Sequence, residues 1–219
     1  MSVRFSIGWC ENGGALVPNI RETAMSFGAA MEGVCVYALS DTTTPPIALE
    51  HFATTDGSAQ QADIAYLVGH GNGAGTGFLL PNGNAIRYDS VKFGGELKWV
   101  VLDCCAAFVR EPMYHDPSYW RKVFNGLHQL LGHEHSVKAN PKRAERFARY
   151  LRDGLTIQEA WRRAVEDSDY TANWAIMHID DPAVVAEGLH SPEPPQSAGQ
   201  GIVLLLKNVA VDPPGEWYW

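Results

Sequence analysis

Two stretches decide the reading of this chain: Ile64-Ala65-Tyr66-Leu67-Val68-Gly69-His70-Gly71 and Trp99-Val100-Val101-Leu102-Asp103-Cys104-Cys105. Each is a short apolar run rich in β-branched or aromatic residues, bounded by turn formers, with none of the three-to-four-residue spacing of a helix. That pattern is expected of a strand buried on both faces, as in a parallel sheet. Both runs end in a chemically capable side chain, an imidazole in one and a thiol in the other. In open α/β sheets ligands bind beyond the carboxyl ends of the strands, so a histidine and a cysteine leaving adjacent strands there would face one cleft as base and nucleophile.

Working outward, Val3–Trp9 reads as a first strand, 20–31 as a helix closed by Gly33, and 34–39 as a second strand. A short helix at 48–52 is expected ahead of an Asp56-Gly57 turn. Between His70 and Cys105, the runs 77–80 and 85–88 flank Pro81-Asn82-Gly83-Asn84, which predicts a β-hairpin. Beyond Cys105 come a short helix at 119–124, a strand at 127–131 and a helix opened by Pro141 and closed by Asp153-Gly154. Thr156-Ile157-Gln158-Glu159 has the form of a capping box and starts a helix to about 165, with Ile157, Ala160, Trp161 and Ala164 on its apolar face. Strands at 174–179 and Ile202–Leu206 follow, separated by a Gly/Pro/Ser/Gln-rich loop at 188–201. The aromatic tail 213–219 is expected to dock on the body or to mark a self-association surface.

The 219 residues, 46% apolar and 19% charged, suit one globular domain spanning 1–219. Seventeen basic against twenty-five acidic side chains give a net charge of -8, which argues against nucleic acid and anionic membranes as partners. The Lys/Arg run 138–152 reads as the solvated face of one helix. No signal peptide is visible, and no apolar stretch approaches the roughly twenty residues of a membrane span. Four cysteines without a C-x-x-C spacing indicate a reducing, cytoplasmic setting. The glycine-rich 72–75 stretch has no following Lys-Ser or Lys-Thr, which argues against a nucleotide-phosphate loop.

A strand ending in His-Gly, followed about thirty-five residues later by a strand ending in Asp-x-Cys with a hairpin between them, resembles the caspase-like cysteine peptidases, a group that includes caspases, metacaspases, legumains and gingipains. The stretch 124–132 and the 156–161 helix start look like an uncharacterised bacterial branch of that group. The resemblance implies a three-layer α/β/α sandwich around a mostly parallel sheet, a peptide or protein substrate and no cofactor. It makes Cys105 the nucleophile and His70 the general base, with the backbone N–H groups of Gly71 and Cys105 stabilising the oxyanion. Imidazole and thiol suit those roles, since the base favours the thiolate and can return a proton to the leaving amine. Strand alternation sends Cys104 to the opposite face, and the Asp-x-Cys alignment selects Cys105, leaving Cys104 as a small buried hydrophobe.

The matching Asp of metacaspases lines the pocket for Arg or Lys, so the resemblance implies that Asp103 receives a basic side chain and that cleavage follows it; Asn is the competing choice. Glu134 and Ser136, at the polar end of the next strand, are expected to line the substrate site. Two other functions are compatible with the sequence. One is a catalytically silent caspase-like domain that binds a partner through the same cleft. The other is a metal-dependent hydrolase built on His128, His133 and His135, whose imidazoles could converge on zinc. The sequence leaves the oligomeric state open.

Overall fold

A computed structural model describes residues 2–10, 18–40, 58–71, 77–79, 85–87, 93, 96–105, 107–108, 123–124, 126–169, 171–191 and 201–207. The strands are β1 (Val3–Trp9), β2 (Gly33–Ser40), β3 (Ile64–Gly71), β4 (Gly77–Leu79), β5 (Ala85–Arg87), β6 (Trp99–Cys104), β7 (Gln129–Gly132), β8 (Ala175–Ile179) and β9 (Ile202–Leu206). They form one sheet in the order β2-β1-β3-β6-β7-β8-β9, with β4 and β5 as a hairpin attached to β3. Pairing is parallel from β2 through β7, and antiparallel between β7 and β8 and between β8 and β9. The protein is therefore α/β with a mostly parallel sheet, as the two apolar runs predict. β3 and β6 lie side by side at its centre, and the first five residues of β3 and all six of β6 are buried.

Three helices, α1 (Ile20–Ala30), α2 (Pro141–Arg152) and α3 (Ile157–Ser168), cover one face. Their Phe27, Phe147 and Trp161 share a core with Ile7, Ile64, Tyr66, Val68 and Val101 of the strands. Phe27 stacks on Tyr66 with ring centroids 4.5 Å apart. The opposite face buries Ala65, Leu67, Val100, Leu102 and Cys104 against Phe93, Phe108, Val123 and Phe124. Among the described residues that second face also meets a 3-10 turn at Ser58–Gln61, and Val123 on it is helical. A four-residue helix, α4 (Pro182–Val185), follows β8. Among the described residues no helix is long and apolar enough to cross a membrane.

Local rules account for the helix ends. Asn140 caps α2 through its Oδ1, which accepts from the Lys142 and Arg143 amides, and Pro141 at the first position has no amide to satisfy. Gly154, at φ 87°, lets the chain leave α2 in a left-handed conformation that a side chain would oppose. Thr156 Oγ1 accepts from the Glu159 amide at 3.3 Å, but Glu159 turns its carboxylate to Arg163 and Arg162, so the expected box is half formed. Strand β7 begins two residues later than expected, leaving Leu127 and His128 ahead of it. The hairpin's two strands are present; its 80–84 turn, the 48–52 helix, most of the 119–124 helix and of the 188–201 loop, and the 213–219 tail lie outside the described residues.

Candidate functional site

Register assembles the site. Trp9 of β1 pairs with Val68 of β3, and Val68 with Asp103 of β6. The parallel ladder between β3 and β6 ends at Gly69 with Cys104, so His70 and Cys105 are the next residues on two strands running the same way. Alternation returns both to the face of Val68 and Asp103, the face covered by α1, α2 and α3. The sequence-predicted base and nucleophile thus each follow the last paired residue at the carboxyl edge of the two central strands. Cys104 points into the opposite core and is 1% exposed. Burial pushes its thiol well above the ordinary cysteine range, which keeps it protonated and inert.

His70 is half-buried, and its Nε2 is enclosed without a hydrogen-bond partner. At this residue β3 turns from β6 to the hairpin: His70 pairs with Leu79 and Gly71 with Phe78 of β4. The half-buried Cys105 does not bond His70. Its Sγ lies 3.2 Å from both the amide nitrogen and the carbonyl oxygen of Val137, accepting from the first and donating to the second.

Asp103 differs from its expected role. It is buried, and both carboxylate oxygens are engaged: Oδ1 by Arg143 Nη2 at 2.5 Å and His133 Nε2 at 3.3 Å, Oδ2 by Tyr66 Oη at 2.6 Å and Arg143 Nε at 3.1 Å. Burial raises the Asp103 pKa, but the Arg143 charge and the hydrogen bonds from His133 and Arg143 outweigh it and hold the carboxyl well below the usual range. The guanidinium pairs bidentately with the carboxylate, so Asp103 offers no free acceptor to a basic substrate side chain. The chain's own arginine stands where Arg or Lys of a substrate was expected.

Arg143 corrects a second expectation, since it is fully buried within a helix whose basic residues read as solvated. The signal lies in the spacing: Arg143, Phe147 and Leu151 fall four residues apart on the buried face of α2. Its Nη2 also donates to the Lys138 carbonyl at 2.8 Å, while its Nη1 is buried and unpartnered.

The three histidines do not converge. His128 precedes β7 and binds Glu187 Oε1 through Nδ1 at 2.7 Å, at the end of the sheet remote from Cys105. Glu187 Oε2 in turn accepts from Trp99 Nε1 at 2.7 Å. His133 sits between Asp103 and the Asn173 carbonyl, which lies 2.8 Å from its Nδ1. Burial lowers its pKa, and the neutral ring has one N–H, which donates to one of the two flanking acceptors and not to both. His135 is half-exposed, 3.9 Å from Glu134 Oε2. Among the described residues no group of three or more His, Cys, Asp or Glu side chains is placed to hold a metal, and the zinc-hydrolase expectation loses its ligand set. Glu134 is buried and Ser136 exposed, both on the segment from β7 to the Val137 main chain at the thiol.

Fold and site define an α/β protein with a thiol and an imidazole on adjacent central strand ends. The chain belongs to the family described as a domain of unknown function (DUF6345), whose model matches residues 45–190. That stretch contains His70, Asp103, Cys105, His133 and Arg143. No curated protein matches the chain. Among solved structures it is similar to a flavodoxin of Streptococcus pneumonia TIGR4, at 15% identity and a TM-score of 0.35, covering 69% of this chain and 99% of that one.

Proposed function

We propose that the protein is a caspase-like cysteine peptidase in which Cys105 attacks the scissile carbonyl and His70 carries the proton. One observation supports this above the others: the β3–β6 ladder ends at Gly69 and Cys104, so His70 and Cys105 each follow its last pair. The hairpin between them and the parallel strand order around them agree with the resemblance. His70 Nε2, enclosed and without a partner, is free to receive the thiol proton and then to protonate the leaving amine. The amides of Gly71 and Cys105 are the proposed donors to the oxyanion, each worth roughly 3 kcal/mol to the transition state. The pairing of Asp103 with Arg143 removes the support for a basic side chain ahead of the cleaved bond.

The absence of a Cys105–His70 hydrogen bond, with the sulfur bonded to Val137 instead, favours a second reading: a catalytically silent domain that binds a partner at the same edge. A diverse peptide library incubated with wild-type protein separates the two. Cleavage that disappears in Cys105→Ala supports the peptidase and reads out the preferred side chain. An uncleaved library, together with unreactive Cys105 towards iodoacetamide, supports the silent domain.

A further inference from the structure

The hydrogen bonds around Cys105 do not stop at Val137. Arg143 binds the Asp103 carboxylate, two residues before Cys105, with Nε and Nη2. The same Nη2 holds the carbonyl of Lys138, the residue after Val137. Val137 in turn meets Cys105 Sγ at 3.2 Å through its amide nitrogen and through its carbonyl oxygen. One buried guanidinium therefore ties the end of β6 to the incoming segment of α2, and the sulfur is held where those two pieces of chain meet.

We propose that Arg143 is a positioning residue for the nucleophile: by clamping Asp103 to the Lys138 carbonyl it fixes the Val137 amide on the Cys105 sulfur. The inference rests on Cys105 being the nucleophile. In the resting state the thiol proton is donated to the Val137 carbonyl. When that proton passes to His70 Nε2, the Val137 N–H remains as a fixed donor to the anionic sulfur. A hydrogen bond to a charged group is worth more than one to a neutral group, so the donor favours the reactive thiolate over the thiol. The proton balance closes without a further reactant: cysteine loses one proton and histidine gains it.

Arg143 is suited to this because its planar fork reaches a carboxylate and a carbonyl at once, which an ammonium on a flexible stem does not do with fixed geometry. The spacing fits as well. Asn140 caps α2 beside this segment, so its Oδ1 and the Arg143 side chain restrain the chain from Lys138 to Lys142 at both ends.

The test compares iodoacetamide labelling of Cys105 with that of Cys35, an exposed cysteine on β2 that serves as an internal reference, in full-length protein at neutral pH. Arg143→Lys keeps the charge and loses the fork. Asp103→Asn/Arg143→Met leaves no unpaired buried charge, which guards against loss of the fold. Both variants are compared at temperatures where circular dichroism shows them folded. The expected result is a Cys105-to-Cys35 labelling ratio lowered roughly tenfold or more in each, the size of a lost charged hydrogen bond, with kcat on a cleaved peptide falling and KM unchanged. A purely structural role would not move the ratio in folded protein. Ratios that stay constant or rise in both variants, while wild-type Cys105 labels rapidly, overturn the clamp and leave the nucleophile standing. Wild-type Cys105 that labels no faster than Cys35 overturns the nucleophile reading itself.

Discussion

At the scale of single residues, the adjacent cysteines are separated by environment. Cys104 lies in an apolar core, with burial opposing its ionisation, whereas Cys105 lies at the strand end beside main-chain polar groups. Cys105→Ala is expected to abolish peptide cleavage with an intact fold, and Cys104→Ala to retain most activity. The reverse outcome in a turnover assay would move the nucleophile by one residue. His70→Ala is expected to lower kcat by a factor of about 10² or more, the usual contribution of a general acid-base group. Near-normal turnover would remove His70 from the mechanism. The role of Asp103 was not legible in the sequence. Its partner lies forty positions away on a helix rich in basic residues, and which of them turns inward depends on how α2 docks on the sheet.

At the scale of elements, strand β7 touches β6 at a point with no room for a side chain. A Cβ on Gly132 would lie 2.7 Å from Ala107 Cβ, 3.0 Å from the Leu102 carbonyl oxygen and 3.0 Å from Phe108 Cε2. Ala107 and Phe108 belong to the chain just past Cys105, and the Phe108 amide donates to the His133 carbonyl at 3.3 Å. Gly132→Ala is therefore expected to cost about 1–3 kcal/mol by overpacking and to slow Cys105 labelling, because relief of the clash pushes apart the two segments that flank the thiol. Urea denaturation and the labelling rate check the two effects. An unchanged unfolding midpoint would show that the loop yields without cost. The Thr156 cap and the Pro141 start were readable because they depend on side chains within a turn of the helix end. The β7 start and the docking of α2 depend on contacts with other elements.

At the scale of the molecule, the ionic centre around Asp103 links the fold to pH. The Asp103 carboxyl titrates well below its unfolded value of roughly 4, so its contribution is complete above that value and is lost as acid protonates it through the lower folded range. His133 acts at higher pH. Burial lowers its folded pKa, so below the unfolded value of about 6.5 the unfolded chain takes up the proton first and stability declines. Calorimetry from pH 8 to 3 is expected to show a melting temperature that is steady above about pH 7, falls through the histidine range and drops further below about pH 4. Asp103→Asn should flatten the lowest limb. If that limb is unchanged, other carboxylates carry the acid sensitivity.

The sequence by itself determined the central strands, the residues at their ends, the hairpin between them and the starts of α2 and α3, because apolar run length, turn chemistry and caps are local properties. It also pointed to His70 and Cys105 as a pair, since two strands of one period, each ending in a reactive side chain, need only adjacency to make a site. The adjacency of the two strands came from the tertiary structure, as did the separation of His128 from His133, the Arg143 bound to Asp103 and the Val137 main chain on the sulfur. A buried carboxylate must find a partner, but sequence spacing does not say which charge the fold will deliver to it. Packing decides that, when α2 settles on the sheet with Arg143 on its buried face.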